Sequence, residues 1–382
     1  MMECSKYKLS ECCLSISDGD HLPPPKVNAG IPFITISDID SSNRLNLDVK
    51  QFVPEEYYHN LKDIRKAQRN DILYSVVGSF GIPVIIKGND RFAFQRHIAI
   101  LRPDPTKVIP DYLFYIMKTY EFYMQADSVA IGAAQRTISL TALRNMTVEL
   151  PSMDVQKKIA STLSRYDSLI DNYQKQIKLL EEAAQRLYKE WFVNLRFPGH
   201  ESTKIVDGVP EGWEKKKLGS IAPILTGKKD ANYGTLDGNY PFFTCSQEPI
   251  KAPSYSFDAE AVLLAGNGDF NVKLYRGKFE AYQRTYVLIP SNADLLYVLY
   301  NSVAKNMVKL ANGASGSTIK FLTKRMIENI DVLVPTNTIL NEYNSLRRKI
   351  QQDLENIKSQ LRLLTESRDR LLPKLLSGEI EV

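Results

Sequence analysis

Apolar and polar positions along this chain follow two regimes, and the pair of regimes occurs twice. In residues 153–193 the positions Ile159, Leu163, Tyr166, Ile170, Tyr173, Ile177, Leu180, Ala184, Leu187 and Trp191 are spaced alternately by four and three. That period keeps one apolar stripe on one face of a helix. Adding 184 to each number gives Tyr343, Arg347, Ile350, Leu354, Ile357, Leu361, Leu364, Arg368, Leu371 and Leu375, of which eight are again apolar or aromatic. A heptad stripe needs a partner seam, and each of these helices is the obvious partner of the other.

The second regime precedes each helix. Residues 1–152 and 194–336 read as short strands and turns: Gly30-Ile31-Pro32-Phe33-Ile34-Thr35-Ile36, Asp71-Ile72-Leu73-Tyr74-Ser75-Val76-Val77 and Ile98-Ala99-Ile100-Leu101 in the first, Tyr240-Pro241-Phe242-Phe243-Thr244 and Ala261-Val262-Leu263-Leu264 in the second. These runs are β-branched or aromatic and bounded by Gly, Pro or Asp. From Pro110 to Tyr123 the period changes, and Tyr112, Tyr115, Ile116 and Tyr120 suit one face of a short helix. Pro151 and Pro335 break the chain ahead of the two heptad stretches, and five Gly and Pro residues between 198 and 212 mark a boundary.

The order of elements implies a geometry. From Ile159 to Trp191 is 33 residues, roughly 50 Å of helix at ~1.5 Å per residue. Such a helix carries the second globular region away from the first, and the helix of residues 337–382 satisfies its seam only by running back alongside. The expected fold class is therefore α+β, with two similar strand-rich globular domains separated by two long antiparallel coiled-coil helices and related by a pseudo-two-fold repeat. Matches between the halves extend the repeat: Phe92-Ala93-Phe94-Gln95-Arg96-His97 with Glu280-Ala281-Tyr282-Gln283-Arg284-Thr285, Val76-Val77-Gly78 with Leu264-Ala265-Gly266, Tyr112-Leu113-Phe114-Tyr115 with Tyr297-Val298-Leu299-Tyr300, and Gly132-Ala133 and Thr137-Ile138 with Gly313-Ala314 and Thr318-Ile319.

Length and composition refine this picture. The 382 residues suit two domains plus their helices. No apolar run approaches the ~18 residues of a membrane span, and the start shows no secretion signal, so no membrane association and a cytoplasmic location are expected. Cys4, Cys12, Cys13 and Cys245 form no CxxC pair and read as reduced structural thiols. The formal charge of +5 conceals an even distribution: residues 1–152 carry 17 basic and 17 acidic side chains, and residues 194–336 carry 17 and 14. A nucleic-acid contact would have to use local patches or share its phosphates with a basic partner.

The search for catalytic apparatus finds no phosphate loop, no HExxH, no GxSxG and none of the Asp or Asn followed by Pro-Pro and an aromatic that amino-methyltransferases use. His21, His59, His97 and His200 are scattered, and Gly266-Asn267-Gly268-Asp269 reads as a hairpin turn. What remains is polar residues on loops. Gln95 and Arg96 answer to Gln283 and Arg284, with His97 beside them; Gln135, Arg136 and Thr137 answer to Ser317, Thr318 and Lys320; Thr35 and Ser37 answer to Thr244 and Ser246. Arginine pairs bidentately with guanine edges and glutamine with adenine edges, so these residues are either base readers or duplicated polars that brace turns. Lys26, Lys228, Lys229 and the run Lys215-Lys216-Lys217 suit phosphate contacts or a solvated face.

Taken in order, these features resemble the specificity (S) subunit of type I restriction-modification systems over essentially the whole chain. The similarity is carried by Leu150-Pro151, Gln156-Lys157-Lys158-Ile159-Ala160, Asp167-Ser168-Leu169-Ile170-Asp171 and Leu187-Tyr188-Lys189-Glu190-Trp191-Phe192. The end Leu371-Leu372-Pro373-Lys374-Leu375-Leu376-Ser377-Gly378-Glu379-Ile380 fits too, as do Asp71-Ile72-Leu73 with Gly78, and Leu225-Thr226-Gly227-Lys228-Lys229 ahead of Tyr240-Pro241-Phe242. The resemblance implies two target recognition domains, residues 1–152 and 194–336, each reading half of a split double-stranded DNA target. Helices 153–193 and 337–382 would set the spacer and dock two methylation subunits, which hold S-adenosylmethionine, while restriction subunits cut. It implies no catalytic residue, cofactor or metal in this chain. Arg347 and Arg368 depart from an apolar seam, which implies looser packing there or a face for another subunit. A different class of reading keeps the rod but makes the heads protein-binding modules of a non-DNA scaffold.

If the helices act as a ruler, lengthening the first helix by one heptad should change the spacing between the two half-sites and leave the half-site sequences unchanged. Mapping the methylated adenines checks this, and an unchanged spacer would refute the ruler.

Overall fold

The computed structural model describes residues 3–21, 23–40, 42–133, 135–316 and 320–382. The chain divides into two compact units, Met1–Tyr173 with Gln360–Val382, and Gln174–Ser359. Each unit contains one strand-rich domain and a share of both long helices, the central helix Met153–Tyr188 and the C-terminal helix Asn337–Ser377. Among the described residues no helix is long and apolar enough to cross a membrane.

In the first unit a four-stranded antiparallel sheet runs in the order Cys13–Asp18, Ile98–Pro103, Ile72–Ser75, Pro83–Ile85. A three-stranded sheet, Phe52–Val53, Ile31–Ile34, Ala93–Phe94, stands beside it, its last pair parallel. The strand Ser5–Lys8 pairs with Thr147–Leu150 and so ties the start of the domain to the residues just before the central helix. The helix expected over 110–123 is two helices, Pro110–Met117 and Tyr120–Val129. Thr119 divides them: its hydroxyl accepts the Phe122 N–H at 3.2 Å and caps the second.

The second unit repeats this order with one change. Six of its strands form a single sheet, Ile224–Thr226, Thr285–Leu288, Phe257–Ala265, Val272–Ala281, Tyr240–Phe243, Ile250–Ala252. Val272–Ala281 spans the whole width and joins an antiparallel to a parallel neighbour. Its counterpart in the first unit is broken into Pro83–Ile85 and Ala93–Phe94, because Gly88-Asn89-Asp90 between them favours a turn and has poor strand propensity. The loop holding Gly266-Asn267-Gly268-Asp269 is the hairpin turn between Phe257–Ala265 and Val272–Ala281, with Gly268 at φ +65°.

Within each unit the helix segments pair antiparallel. In the first, the Lys158 ammonium donates to the Val382 carbonyl at 3.0 Å while Arg368 reaches Asp167 at 2.7 Å. In the second, Lys358 reaches Glu181 at 2.8 Å and the Trp191 and Tyr343 rings lie 5.8 Å apart. Rising numbers on one helix meet falling numbers on the other. Every heptad position named above is buried or half-buried, and Ile159, Leu163 and Tyr343 are fully enclosed. The helix segments also belong to the domain cores: Ile159, Leu163 and Leu375 share a cluster with Leu9, Tyr74 and Leu101, and Trp191 and Tyr343 share another with Leu218 and Val298. A π-helical turn, Lys189–Val193, ends the central helix and lets both Trp191 and Phe192 reach the latter cluster.

The seam arginines are packed inward. Arg368 donates to Asp167 at 2.7 Å, and the other Asp167 oxygen accepts the Tyr115 hydroxyl at 2.6 Å. Burial, with the Asp167 charge and hydrogen bond behind it, pushes the Tyr115 phenol well above its ordinary pKa, so it stays a donor. Arg347 is 3% exposed and stacks on Tyr297 at 5.0 Å, with its Nε lacking a hydrogen-bond partner. The expected loosening is thus replaced by side-chain pairing within each unit.

A second buried pair pins the four-stranded sheet. Asp71 is 2% exposed and grips Arg102 through both oxygens, at 3.0 and 2.9 Å. Asp71→Ala strands a partly buried guanidinium and should cost about 3 kcal/mol, read from the urea midpoint at constant slope. A change below roughly 0.5 kcal/mol would show that the pair is dispensable.

Candidate nucleic-acid interface

Sheet register decides which loops share an edge. In the first unit the turns around residues 18–21, 35–38, 76–82, 95–97, 131–133 and 135–137 converge. Gly19 N–H bonds to Ile98 O at 3.2 Å, Gln95 N–H to Ile34 O at 3.1 Å, Val76 N–H to His97 O at 2.9 Å, and Ile138 N–H to Val76 O at 2.8 Å. The second unit builds the same cluster from residues 227–230, 244–247, 266–271, 282–284, 315–316 and 320–321. There Gly227 bonds to Thr285 O at 3.3 Å, Tyr282 to Phe243 O at 3.0 Å, Gly266 to Arg284 O at 2.8 Å, and Leu322 to Gly266 O at 2.8 Å. Glycine is required at the first of these turns in both units: a Cβ would lie 2.1 Å from the Phe94 oxygen at Gly19 and 1.8 Å from the Ala281 oxygen at Gly227.

These bonds set the true match between halves. Gln95 corresponds to Tyr282, Arg96 to Gln283 and His97 to Arg284, one residue away from the match read along the sequence. Val76 corresponds to Gly266 and Gly78 to Gly268, both at positive φ. Thr137 pairs with Ile131 as Phe321 pairs with Ser315, so Thr137 answers to Phe321 and Arg136 to Lys320. Ser317 and Thr318 lie outside the described residues. The pairing of Thr35 and Ser37 with Thr244 and Ser246 holds in detail: the two hydroxyls touch at 2.8 Å in one unit and 2.7 Å in the other. In the first, Asp38 adds a 2.7 Å bond from the Thr35 hydroxyl.

The candidates differ in what they are free to do. Arg96 and Arg284 are exposed and form no ion pair among the described residues, whereas the Gln283 amide donates to Asp230 at 2.7 Å. Gln95 is half-buried and Gln135 exposed. Arg136 is paired with Asp127 and lies 5.4 Å from the Phe80 ring, which stacks on Tyr123 at 5.7 Å. Lys228 and Lys320 are exposed, and the Lys229 ammonium sits 4.3 Å over Tyr233. Lys26 is exposed next to Val27, whose N–H bonds to Phe52 at 3.1 Å, and no hydrogen bond or ion pair among the described residues links it to the loop cluster. The run Lys215-Lys216-Lys217 is spent on Asp331 at 3.2 and 2.7 Å and on Glu214 at 2.6 Å. The Lys217 hydrogen bond holds the Asp331 carboxyl below the usual range.

Sequence reading missed several residues of these faces. Asp18 bonds His21 at 2.8 Å, Asp20 accepts the Tyr57 hydroxyl at 3.0 Å, and Arg65 lies near both carboxylates. Gln247 and Asp269 approach at 3.5 Å across two loops of the second face. The available signal was a shared glycine after the first sheet strand, in Ser17-Asp18-Gly19-Asp20-His21 and Thr226-Gly227-Lys228-Lys229.

Comparison with known proteins follows this duplication. The sequence pattern described as the type I restriction modification DNA specificity domain matches twice, over residues 12–182 and 210–364. The chain belongs to that family. It is 36% identical over 178 residues to the type I restriction enzyme EcoDI specificity subunit of Escherichia coli, an alignment taking in 45% of this chain and 39% of that one. It is 26% identical over 306 residues to the MjaIX specificity subunit of Methanocaldococcus jannaschii, covering 72% of this chain and 70% of the relative. A solved type I restriction-modification S subunit from M. genitalium has the same fold, with a TM-score of 0.65 and 17% identity over 98% of this chain and 96% of that one.

Burial, and then the positive Arg96 beside it, lower the His97 pKa below the ordinary imidazole value. A depressed folded-state pKa means that this ring's contribution is intact above the unfolded value and is lost as pH falls through the folded one. An NMR titration should place the His97 midpoint below that of the urea-unfolded chain; a midpoint at or above it would contradict the burial described.

Proposed function

We propose that this chain is the DNA-specificity subunit of a type I restriction-modification complex. Each strand-rich domain, residues 1–152 and 194–336, reads one half of a bipartite target in double-stranded DNA. The helices, residues 153–193 and 337–382, dock two methylation subunits and set the unread spacer. Methyl transfer from S-adenosylmethionine to adenine belongs to those partners and DNA cutting to restriction subunits, in the cytoplasm; this chain is non-catalytic. The observation that carries the reading is the pair of loop faces, held by four matching backbone hydrogen bonds, in a chain whose family pattern also occurs twice.

The chemistry of the faces suits recognition. Hydroxyls, amides and guanidinium groups stand on turns held by backbone hydrogen bonds, so their donors and acceptors are positioned before DNA arrives. Exposed Arg96 and Arg284 are the readers of choice, since among the described residues neither has an ion pair to break before it reaches a guanine edge. Thr35 with Ser37, and Thr244 with Ser246, are paired hydroxyls at the same place in each face. A scaffold with protein-binding heads accounts for the paired helix segments but not for a family pattern described as a DNA specificity domain.

Methylation sequencing of a host expressing the chain with its partners should show adenines modified in a split motif. Replacing residues 194–336 by those of a relative should change one half of the motif and leave the other intact. A contiguous motif, or an exchange that alters both halves, would overturn the assignment.

A further inference from the structure

The two loop faces share a backbone but not an electrostatic state. In the first unit Asp18 and Asp20 flank Gly19, and Arg65 lies 3.6 and 3.5 Å from them. In the second unit the matched Gly227 is followed by Lys228 and Lys229, and Lys228 forms no ion pair among the described residues. The contrast recurs on the other side of each face. Arg136 is held by Asp127, while its counterpart Lys320 is exposed and unpaired among the described residues, and the matching helix end, residues 309–313, has no carboxylate.

A cation already bound to a carboxylate releases little when it meets a phosphate, because one counter-charge is exchanged for another and the freed carboxylate then repels the backbone. An unpaired lysine releases a condensed counterion from the duplex, and each such contact steepens the salt dependence of binding. We infer that the second unit anchors the complex to DNA phosphates through Lys228 and Lys320, whereas at the matched places of the first unit Arg65 and Arg136 are held by that unit's own carboxylates, which leaves Arg96 for base reading. This deepens the specificity-subunit reading and rests on it.

The test uses the full chain in complex with its methylation subunits and a duplex carrying the motif found by methylation sequencing, with affinity measured between 50 and 200 mM salt. The double variant Lys228→Gln/Lys320→Gln should flatten the slope of log affinity against log salt by about 1.8, so that affinity falls roughly tenfold less over that range. Arg136→Gln should change the slope by less than about 0.5, and Asp127→Asn, which removes the carboxylate that neutralises Arg136, should steepen it by about 0.9. The last is a gain that damage to the fold cannot mimic. Equal flattening by the Lys228/Lys320 and Arg136 variants, or an unchanged slope in the lysine pair, overturns the inference while leaving the recognition role intact. Absence of motif-specific binding by the unaltered complex overturns the specificity reading and this inference with it.

Discussion

The structure depends on the burial of a stripe that repeats every seven residues. The helix Met153–Tyr188 is rich in strong helix formers, but most of its stability in the fold comes from covering Ile159, Leu163, Ile170 and their successors. In each unit that cover comes from the opposite long helix and from the domain itself. Leu375 packs in the same cluster as Leu9, and Tyr343 in the same cluster as Trp191 and Leu218. Each core is thus closed by residues far apart in the chain. Helix pairing and domain folding are one event, and the loops stand on a base that cannot loosen independently of the helices.

Polar groups inside this seam act as pins. Asp167 joins Arg368 to Tyr115, linking the two long helices to a domain helix, and the Arg347 guanidinium sits over the Tyr297 ring. Buried charges of this kind add little net stability compared with well-packed apolar residues, but each is costly to strand. Two arginines at heptad positions therefore define a register that a uniform leucine seam would leave degenerate.

Duplication explains why two loop faces share a backbone, and divergence explains why they need not read alike. Gly19 and Gly227, Gly78 and Gly268, and the hydroxyl pairs Thr35–Ser37 and Thr244–Ser246 are common to both. Around them the charges change sign, from Asp18 and Asp20 to Lys228 and Lys229. Backbone hydrogen bonds need only a few residue types at a few places, which leaves the exposed positions free to vary without cost to the fold.

The heptads, the two strand-rich regions, the boundary prolines and the hairpin at Gly266-Asn267-Gly268-Asp269 were legible in the sequence, because each is a local pattern whose period or turn chemistry does not depend on distant partners. Tertiary structure decided the rest. Which residues answer to one another across the repeat follows from hydrogen bonds between strands, so insertions moved Arg96 onto Gln283 and Thr137 onto Phe321 where a constant sequence offset pairs them otherwise. Whether a cation is free or spent is likewise a matter of distance: Arg136 finds Asp127, Lys215 and Lys217 find Asp331, and Lys228 finds no carboxylate among the described residues. Periodicity is written in neighbours along the chain, whereas charge pairing and register are written in neighbours through space.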